Sequence, residues 1–415
     1  MTRSRVVITG LGVLTPVGND VDTYWKALLA GKSGVGPITK FDTAGMSVTI
    51  GAEIRNFTTA GYIEDKEVKR LDPFSQYALV AAGQAVKDAG IDFSKCERFR
   101  CGAIVASGIG GLHELQEQHK RYIDKGPSRT SPFFVPKMML NAAAGNIAIQ
   151  HGLGGPNWGV ASACASANHA MGTALRLIQH GDADLIVTGG TEAALTYLAL
   201  SGFANMGALS KRNDAPEKAS RPFDKGRDGF VLAEGAAILV FEKLEHAQAR
   251  GAKIYAEVLG IGNSDDSYHI TAPDPDGAGG AYAMITALKD AGIRPEQVSY
   301  INAHGTSTEL NDKIETAAIK RVFGDAARRI PISSTKSMVG HLLGAAAAVE
   351  LTATVLSIRD GVVHPTINYE TPDPECDLDY VPNVKRAVRV EYAMSNSLGF
   401  GGHNSAIVVG RFQPR

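Results

Sequence analysis

Residues 157–181 read NWGVASACASANHAMGTALRLIQHG, and residues 330–361 read IPISSTKSMVGHLLGAAAAVELTATVLSIRDG. In both, a strand-like run leads through a turn of small residues into an Ala-rich helical pattern. Each pattern stops at a glycine, Gly181 or Gly361, the residue suited to a left-handed helix cap. Both patterns are apolar on most faces, which places the helices inside the protein. Each turn carries one reactive side chain, Cys164 in the first and His341 in the second. A duplicated strand–loop–helix unit would set two buried helix starts side by side, with both side chains facing one pocket.

Working outward, strand-like runs recur along the chain: RVVITGL, CGAIVASG, LIVTGGTEA, GAAILVFEKL, YAEVLGIG, SYINAHGTS and SAIVVG. Helical patterns such as SQYALVAAGQAVKDAG and GAYAMITALKDAG separate many of them. The alternation predicts an α/β protein with largely buried sheets. Loops are expected around residues 207–230 and through NSDDSYHITAPDPDGAGG.

A chain of 415 residues buries a large core and holds two domain-sized units. With 44% hydrophobic and 20% charged residues and a formal net charge of -1, it reads as an ordinary soluble globular protein. That charge gives no global field favouring nucleic acid or a membrane surface. The opening MTRSRVVITGLGV is too short an apolar run for a signal peptide, and Glu350 interrupts the longest apolar stretch. Cys96, Cys101, Cys164 and Cys376 lack metal-ligand spacing and suit a reducing compartment, so a cytoplasmic protein without a bound metal is expected.

The chemistry gathers around Cys164. A helix N-terminus favours a thiolate through its dipole and free N–H groups, so a lowered thiol pKa is expected there. INAHGTSTELND, residues 301–312, carries His304 from a strand into a loop of glycine and hydroxyl residues. SSTKSMVGHLLGAAAA places Lys336 five residues before His341. One thiol and two imidazoles supply a nucleophile and two donors to developing negative charge. Near the C-terminus, NSLGFGGHNSAIVVG is a glycine-rich turn whose backbone N–H groups could line an oxyanion hole.

Three motifs in this order, ASACASANHA, NAHGTST and STKSMVGHLLGAAAAVE, carry a resemblance to the β-ketoacyl-acyl-carrier-protein synthases. The chain looks most like the type II elongating enzymes of dissociated fatty-acid synthesis, over essentially its whole length. The resemblance implies the thiolase fold, two duplicated halves (1–253 with the cysteine, 254–415 with the histidines) stacked as an αβαβα sandwich in a homodimer. It implies that Cys164 accepts an acyl chain from acyl carrier protein, and that His304 and His341 hydrogen-bond the malonyl thioester carbonyl as carbon dioxide leaves. The N–H groups of Cys164 and Phe400 would form the oxyanion hole. Lys336 and Glu350 would support the histidines, and Thr306 and Thr308 would bond the carrier's phosphopantetheine arm. Ile109, Phe203 and Phe400 would line the acyl tunnel, with Phe134 reaching it from the partner subunit. No further cofactor is implied.

For the acidic carrier, DKEVKR puts Lys66, Lys69 and Arg70 on one face at helical spacing, and the resemblance adds Arg129 and Arg212. Two departures stand out. The family's HGTSTPxGD reads HGTSTELND, which puts the stiffness of that loop in question, and Leu398 stands where a Phe is frequent. A dinucleotide reading of TGLGVLTPVG fails because Pro16 breaks the continuation and no acidic residue lies near position 30. SSTK matches S-x-x-K without its K-T-G or S-D-N companions. A thiolase would need a second catalytic cysteine where this chain has GFGGHN, and initiating synthases pair Cys with His and Asn. A type I elongating or polyketide-type ketosynthase shares the residue set, whereas a chain-length-factor-like subunit would lack Cys164.

Overall fold

The computed structural model describes residues 3–414. Strands β1 (Val6–Leu14), β2 (Cys101–Ala106), β3 (Asn157–Val160), β4 (Leu185–Glu192) and β5 (Gly235–Lys243) lie in the order β3-β2-β4-β5-β1. Strands β6 (Ala256–Asp265), β7 (Tyr300–Asn302), β8 (Ile332–Ser333), β9 (Tyr392–Gly399) and β10 (His403–Gly410) repeat that order as β8-β7-β9-β10-β6. The directions repeat too. β2 runs parallel to β3 and β4, with β4–β5 and β5–β1 antiparallel. β7 runs parallel to β8 and β9, with β9–β10 and β10–β6 antiparallel. A short antiparallel ladder, Val6–Ile8 on Ala256–Val258, joins the two sets into one ten-stranded sheet.

Helices α1 (Pro73–Ala89) and α2 (Ala142–His151) cover the outer face of the first set. Helices α3 (Ser166–His180) and α6 (Ala346–Asp360) lie between the two sets and touch strands of both, while α4 (Ala278–Ala291) and α5 (Glu309–Phe323) cover the far side. The order is helix, sheet, helix, sheet, helix. Residues 346–358 of α6 are all buried, which accounts for its lack of a polar face.

The first strand of each set carries the same device. A Cβ on Gly10 or Gly12 of β1 would sit 2.2 Å from Ala85 O or 2.0 Å from Ala81 O, and one on Gly262 of β6 would sit 2.0 Å from Ala283 O. Helices α1 and α4 therefore rest directly on strand backbone, and only glycine fits beneath them. The G-x-G of TGLGV is a packing motif. It faces a helix and not a phosphate.

Strand β9 was not evident from sequence, because YAMSNSLG is rich in serine and asparagine. Ser395, Asn396 and Ser397 are nevertheless buried in it. IPISSTKS yields only the two-residue strand β8 before the chain turns away.

Candidate active site

The C-terminal end of β3 feeds the turn Ser162–Cys164, whose Ala163 adopts φ +48°. A left-handed non-glycine residue is strained by about 1–3 kcal/mol and persists only where its surroundings hold it. Here Ser166 Oγ accepts the Ser162 N–H at 2.8 Å and donates to Ala163 O at 2.6 Å. Cys164 lies two residues before the first helical residue of α3 and is 7% exposed. Burial pushes its thiol up to about 11, against the pull of the Lys336 charge and the Phe400 N–H. The expected depression by the helix start is thus overturned, because loss of water costs the thiolate more than these groups return.

His341 Nε2 stands 3.0 Å from Cys164 Sγ. Its other nitrogen, Nδ1, accepts the Leu343 N–H at 3.2 Å, so the ring proton belongs on Nε2. The same logic fixes His304. Lys336 Nζ, which has no lone pair when charged, donates to His304 Nδ1 at 3.1 Å and to His304 O at 2.8 Å. Burial and the Lys336 charge hold both imidazoles well below the usual histidine range, so both rings are neutral. The rings meet edge to face with centroids 5.4 Å apart, and the Cys164, His304 and His341 ligand atoms lie within 4.8 Å of one another. Two neutral rings holding Nε2–H groups beside one sulfur form a pair of hydrogen-bond donors.

Lys336 is 1% exposed and pairs with Glu350 Oε1, itself on the fully buried stretch of α6. Burial raises Glu350 to about 7 against the Lys336 charge. On the opposite side of the sulfur, a Cβ on Gly399 would lie 3.1 Å from Cys164 N and 3.2 Å from Ala165 N. The glycine lets the 399–402 turn close on the cysteine and aim the Phe400 N–H at Sγ. Cys164, both histidines, Ile109, Phe203, Thr306, Thr308, Leu398 and Phe400 line one cavity of about 460 Å³. Thr306 Oγ1 and Thr308 Oγ1 are hydrogen-bonded at 2.9 Å on its wall.

Phe134, Lys66, Lys69, Arg70, Arg129 and Arg212 do not line that cavity. The helical face expected for DKEVKR is a single turn, Asp65–Val68. Around it, Lys66 pairs with Glu64 at 2.7 Å and Arg70 with Glu67 at 3.1 Å, so neighbouring acids already balance two of the three cations. Arg212 lies 3.7 Å from Asp228 and donates to Gly226 O at 2.6 Å.

Glu315 and Arg227, two polar groups that support this site, escaped the sequence reading, whereas Asp312 is the acid that the HGTSTELND motif retains. Glu315 on α5 accepts the N–H groups of His304 and Gly305, each at 2.8 Å, and burial raises it to about 7. Asp312 accepts from Ser307 N at 3.2 Å and Phe223 N at 2.8 Å, while Arg227 donates to the Thr308 and Glu309 carbonyls. These contacts hold the HGTSTELND loop without the proline. Phe230 stacks edge-on to His341 at 5.2 Å and to Phe203 at 5.5 Å. Acids at 312 and 315 on a helix with buried neighbours were the available signal.

The β-ketoacyl synthase N-terminal domain profile matches residues 3–247, and the C-terminal domain profile matches residues 255–370. The 3-oxoacyl-[acyl-carrier-protein] synthase 2 of Staphylococcus aureus (strain COL) is 52% identical over 411 residues, 99% of each chain. The enzyme of the same name from Synechocystis sp. is 51% identical over 413 residues, covering 100% of this chain and 99% of that one. Among solved structures, a β-ketoacyl synthase from Burkholderia phymatum superposes with TM-score 0.92 at 36% identity, covering 99% of this chain and 100% of that one. A ketosynthase solved with its type II PKS acyl-carrier protein, bound to the hexaketide, gives TM-score 0.92 at 37% identity with the same coverage. These ketosynthases share the thiolase fold, and their likeness runs the length of this chain. With a buried cysteine between two imidazole donors at the meeting of its duplicated halves, the chain belongs to the β-ketoacyl synthase family of condensing enzymes.

Proposed function

We propose that this chain extends acyl chains by decarboxylative condensation, joining a Cys164-bound acyl group to malonyl-acyl-carrier protein. The observation that carries this reading is the pair of neutral Nε2–H donors aimed at the space beside Cys164 Sγ, 3.0 Å from His341 Nε2. In the first half-reaction the sulfur attacks the acyl thioester, the carrier's sulfur leaves, and the proton lost by Cys164 is matched by one gained by the carrier's thiol. In the second, malonyl carrier loses carbon dioxide and the charge gathers on its thioester oxygen, where His304 and His341 donate. The resulting carbon nucleophile attacks the acyl-Cys carbonyl, whose oxygen is taken by the Cys164 and Phe400 N–H groups. Cys164 sulfur leaves and regains a proton. None of these steps calls for a further cofactor or a metal.

Substrates on this reading arrive on the phosphopantetheine arm of acyl carrier protein, past Thr306 and Thr308. The ketosynthase solved with its acyl-carrier protein supports such a partner. Lys69 and Arg129 are exposed and, among the described residues, form no ion pair, so they lead the candidate docking cations. A homodimer is part of the proposal, with Phe134 completing the partner's tunnel. Among the described residues no helix is long and apolar enough to cross a membrane, and we place the reaction in the cytoplasm. The test combines purified protein with acyl- and malonyl-carrier. The wild type is expected to yield 3-oxoacyl-carrier and carbon dioxide, and Cys164→Ser to lose both the acyl adduct and the product. Product formation by Cys164→Ser would overturn the assignment.

A further inference from the structure

Glu192 ends β4, is wholly buried, and is not itself among the residues that line the cavity. Its carboxylate takes four donors from two separate segments. Oε1 accepts Ser107 Oγ at 2.9 Å and Ile109 N at 3.3 Å. Oε2 accepts Gly108 N at 2.7 Å and Gly344 N at 2.9 Å. The first segment, 107–110, carries Ile109 into the cavity wall. The second is the turn after His341, where Leu343 is held at φ +48° and its N–H sets the His341 tautomer at 3.2 Å.

The two segments are pressed together on that carboxylate. A Cβ on Gly344 would lie 2.1 Å from Gly108 N and 2.8 Å from Glu192 Oε2, and one on Gly108 would lie 2.9 Å from Oε2. Both positions are glycine so that one carboxylate can reach both backbones. Ser107 extends the knot, since its Oγ also accepts the Gly110 N–H at 3.0 Å. Moving the Ile109 segment therefore moves the group that holds Gly344, and Gly344 follows directly on the strained residue that orients His341.

We propose that Glu192 is a positioning residue that ties the acyl-chain wall at Ile109 to the tautomer and orientation of His341. An acyl chain pressing on Ile109 is then felt at the donor that serves the malonyl carbonyl. Chain length and decarboxylation are coupled through one carboxylate. The inference rests on the condensing reaction proposed above for its kinetic arm and on geometry alone for its spectroscopic arm.

Glu192→Gln tests it, because an amide keeps one accepting oxygen, so that either the Ser107 and Ile109 donors or the Gly108 and Gly344 donors lose theirs. In histidine-¹⁵N-labelled protein, with the His341 signals identified by their loss in His341→Ala, the wild type is expected to show the Nε2–H tautomer and Glu192→Gln a mixture. Malonyl-carrier decarboxylation is expected to fall about tenfold in kcat with KM nearly unchanged, because the loss is in a donor used in the transition state. The ratio of long-chain to short-chain loading of Cys164 is expected to change by about threefold or more in the same variant. Ser107→Ala removes one donor and leaves the carboxylate, so it is expected to shift both readouts in the same direction by less, and it serves if Glu192→Gln does not fold. A folded Glu192→Gln or Ser107→Ala with the wild-type His341 tautomer and loading ratio would overturn the proposal. So would an equal loss at every chain length with a lowered melting temperature, the mark of a purely structural role. If the wild type itself releases no carbon dioxide, the functional reading fails while the tautomer measurement still decides on Glu192.

Discussion

At the scale of single residues, the site contrasts a reluctant thiol with two obliging imidazoles. A thiol raised to about 11 by burial is ionised to only about one part in 10⁴ at pH 7, well short of a preformed ion pair. Because the shift is upward, reactivity with a small electrophile rises with pH through and beyond 9 instead of levelling near neutrality. Iodoacetamide labelling of Cys164, followed by mass spectrometry from pH 6 to 10, is expected to climb without a plateau. A plateau below pH 8 would mean that a neighbouring charge stabilises the thiolate more than burial opposes it. On the proposed reaction the histidines serve the other carbonyl. His304→Ala and His341→Ala are each expected to cost about 10²-fold or more in malonyl-carrier decarboxylation, the usual loss for one donor of an oxyanion hole. Cys164 acylation is expected to fall less, and a variant that decarboxylates at the wild-type rate would leave that histidine a packing role.

At the scale of elements, the site is where four segment ends converge: the turn before α3, the loop after β7, the turn before α6 and the bend between β9 and β10. Their approach depends on missing side chains. Gly399→Ala would place a methyl 3.1 Å from Cys164 N, tight enough to push the Phe400 N–H off the sulfur. Condensation is expected to drop about tenfold with the melting temperature little changed, since a displacement well under 1 Å suffices at a reacting centre. Unchanged turnover would remove Phe400 from the oxyanion hole. This scale also shows what the chain made legible. Cys164, His304, His341 and Lys336 sit in motifs whose small residues advertise a tight turn, and the paired Ala-rich helices announced the duplication. Strand β9 stayed hidden because its buried Ser395, Asn396 and Ser397 erase the apolar alternation by which strands are read. Glu192 and Glu315 escaped for a related reason. They bond to backbone N–H groups, 10 and 11 residues away for Glu315 and 84 and 152 away for Glu192, and no spacing rule reports a carboxylate that bonds to main chain.

At the scale of the whole molecule, the ten-stranded sheet has two ends, equivalent by duplication and treated differently. At one end, β8 is fully buried, and the Ile332 N–H donates to Asp379 O of a covering segment at 2.8 Å. At the other end, β3 pairs only with β2, and its Trp158 is 40% exposed. Nearby in sequence, Ile149 is 81% exposed, Val135 54% and Phe133 43%, so an open sheet edge and bare apolar side chains come from one stretch, residues 133–158. An uncovered edge strand is a template for another strand, and proteins that leave one open at a rim of apolar residues use it for assembly. Two copies related by a twofold axis would pair β3 with β3 antiparallel, extend the sheet through both subunits and bury those side chains together. The substitution Trp158→Asp would place a charge on that edge strand in each copy and set the two charges close together across the shared edge. Sedimentation is expected to show a dimer for the wild type and a monomer for Trp158→Asp, with long-chain acylation of Cys164 impaired if Phe134 completes the tunnel across the interface. A wild-type monomer at micromolar concentration would refute this assembly, and a Trp158→Asp protein that stays dimeric would place the interface on another face.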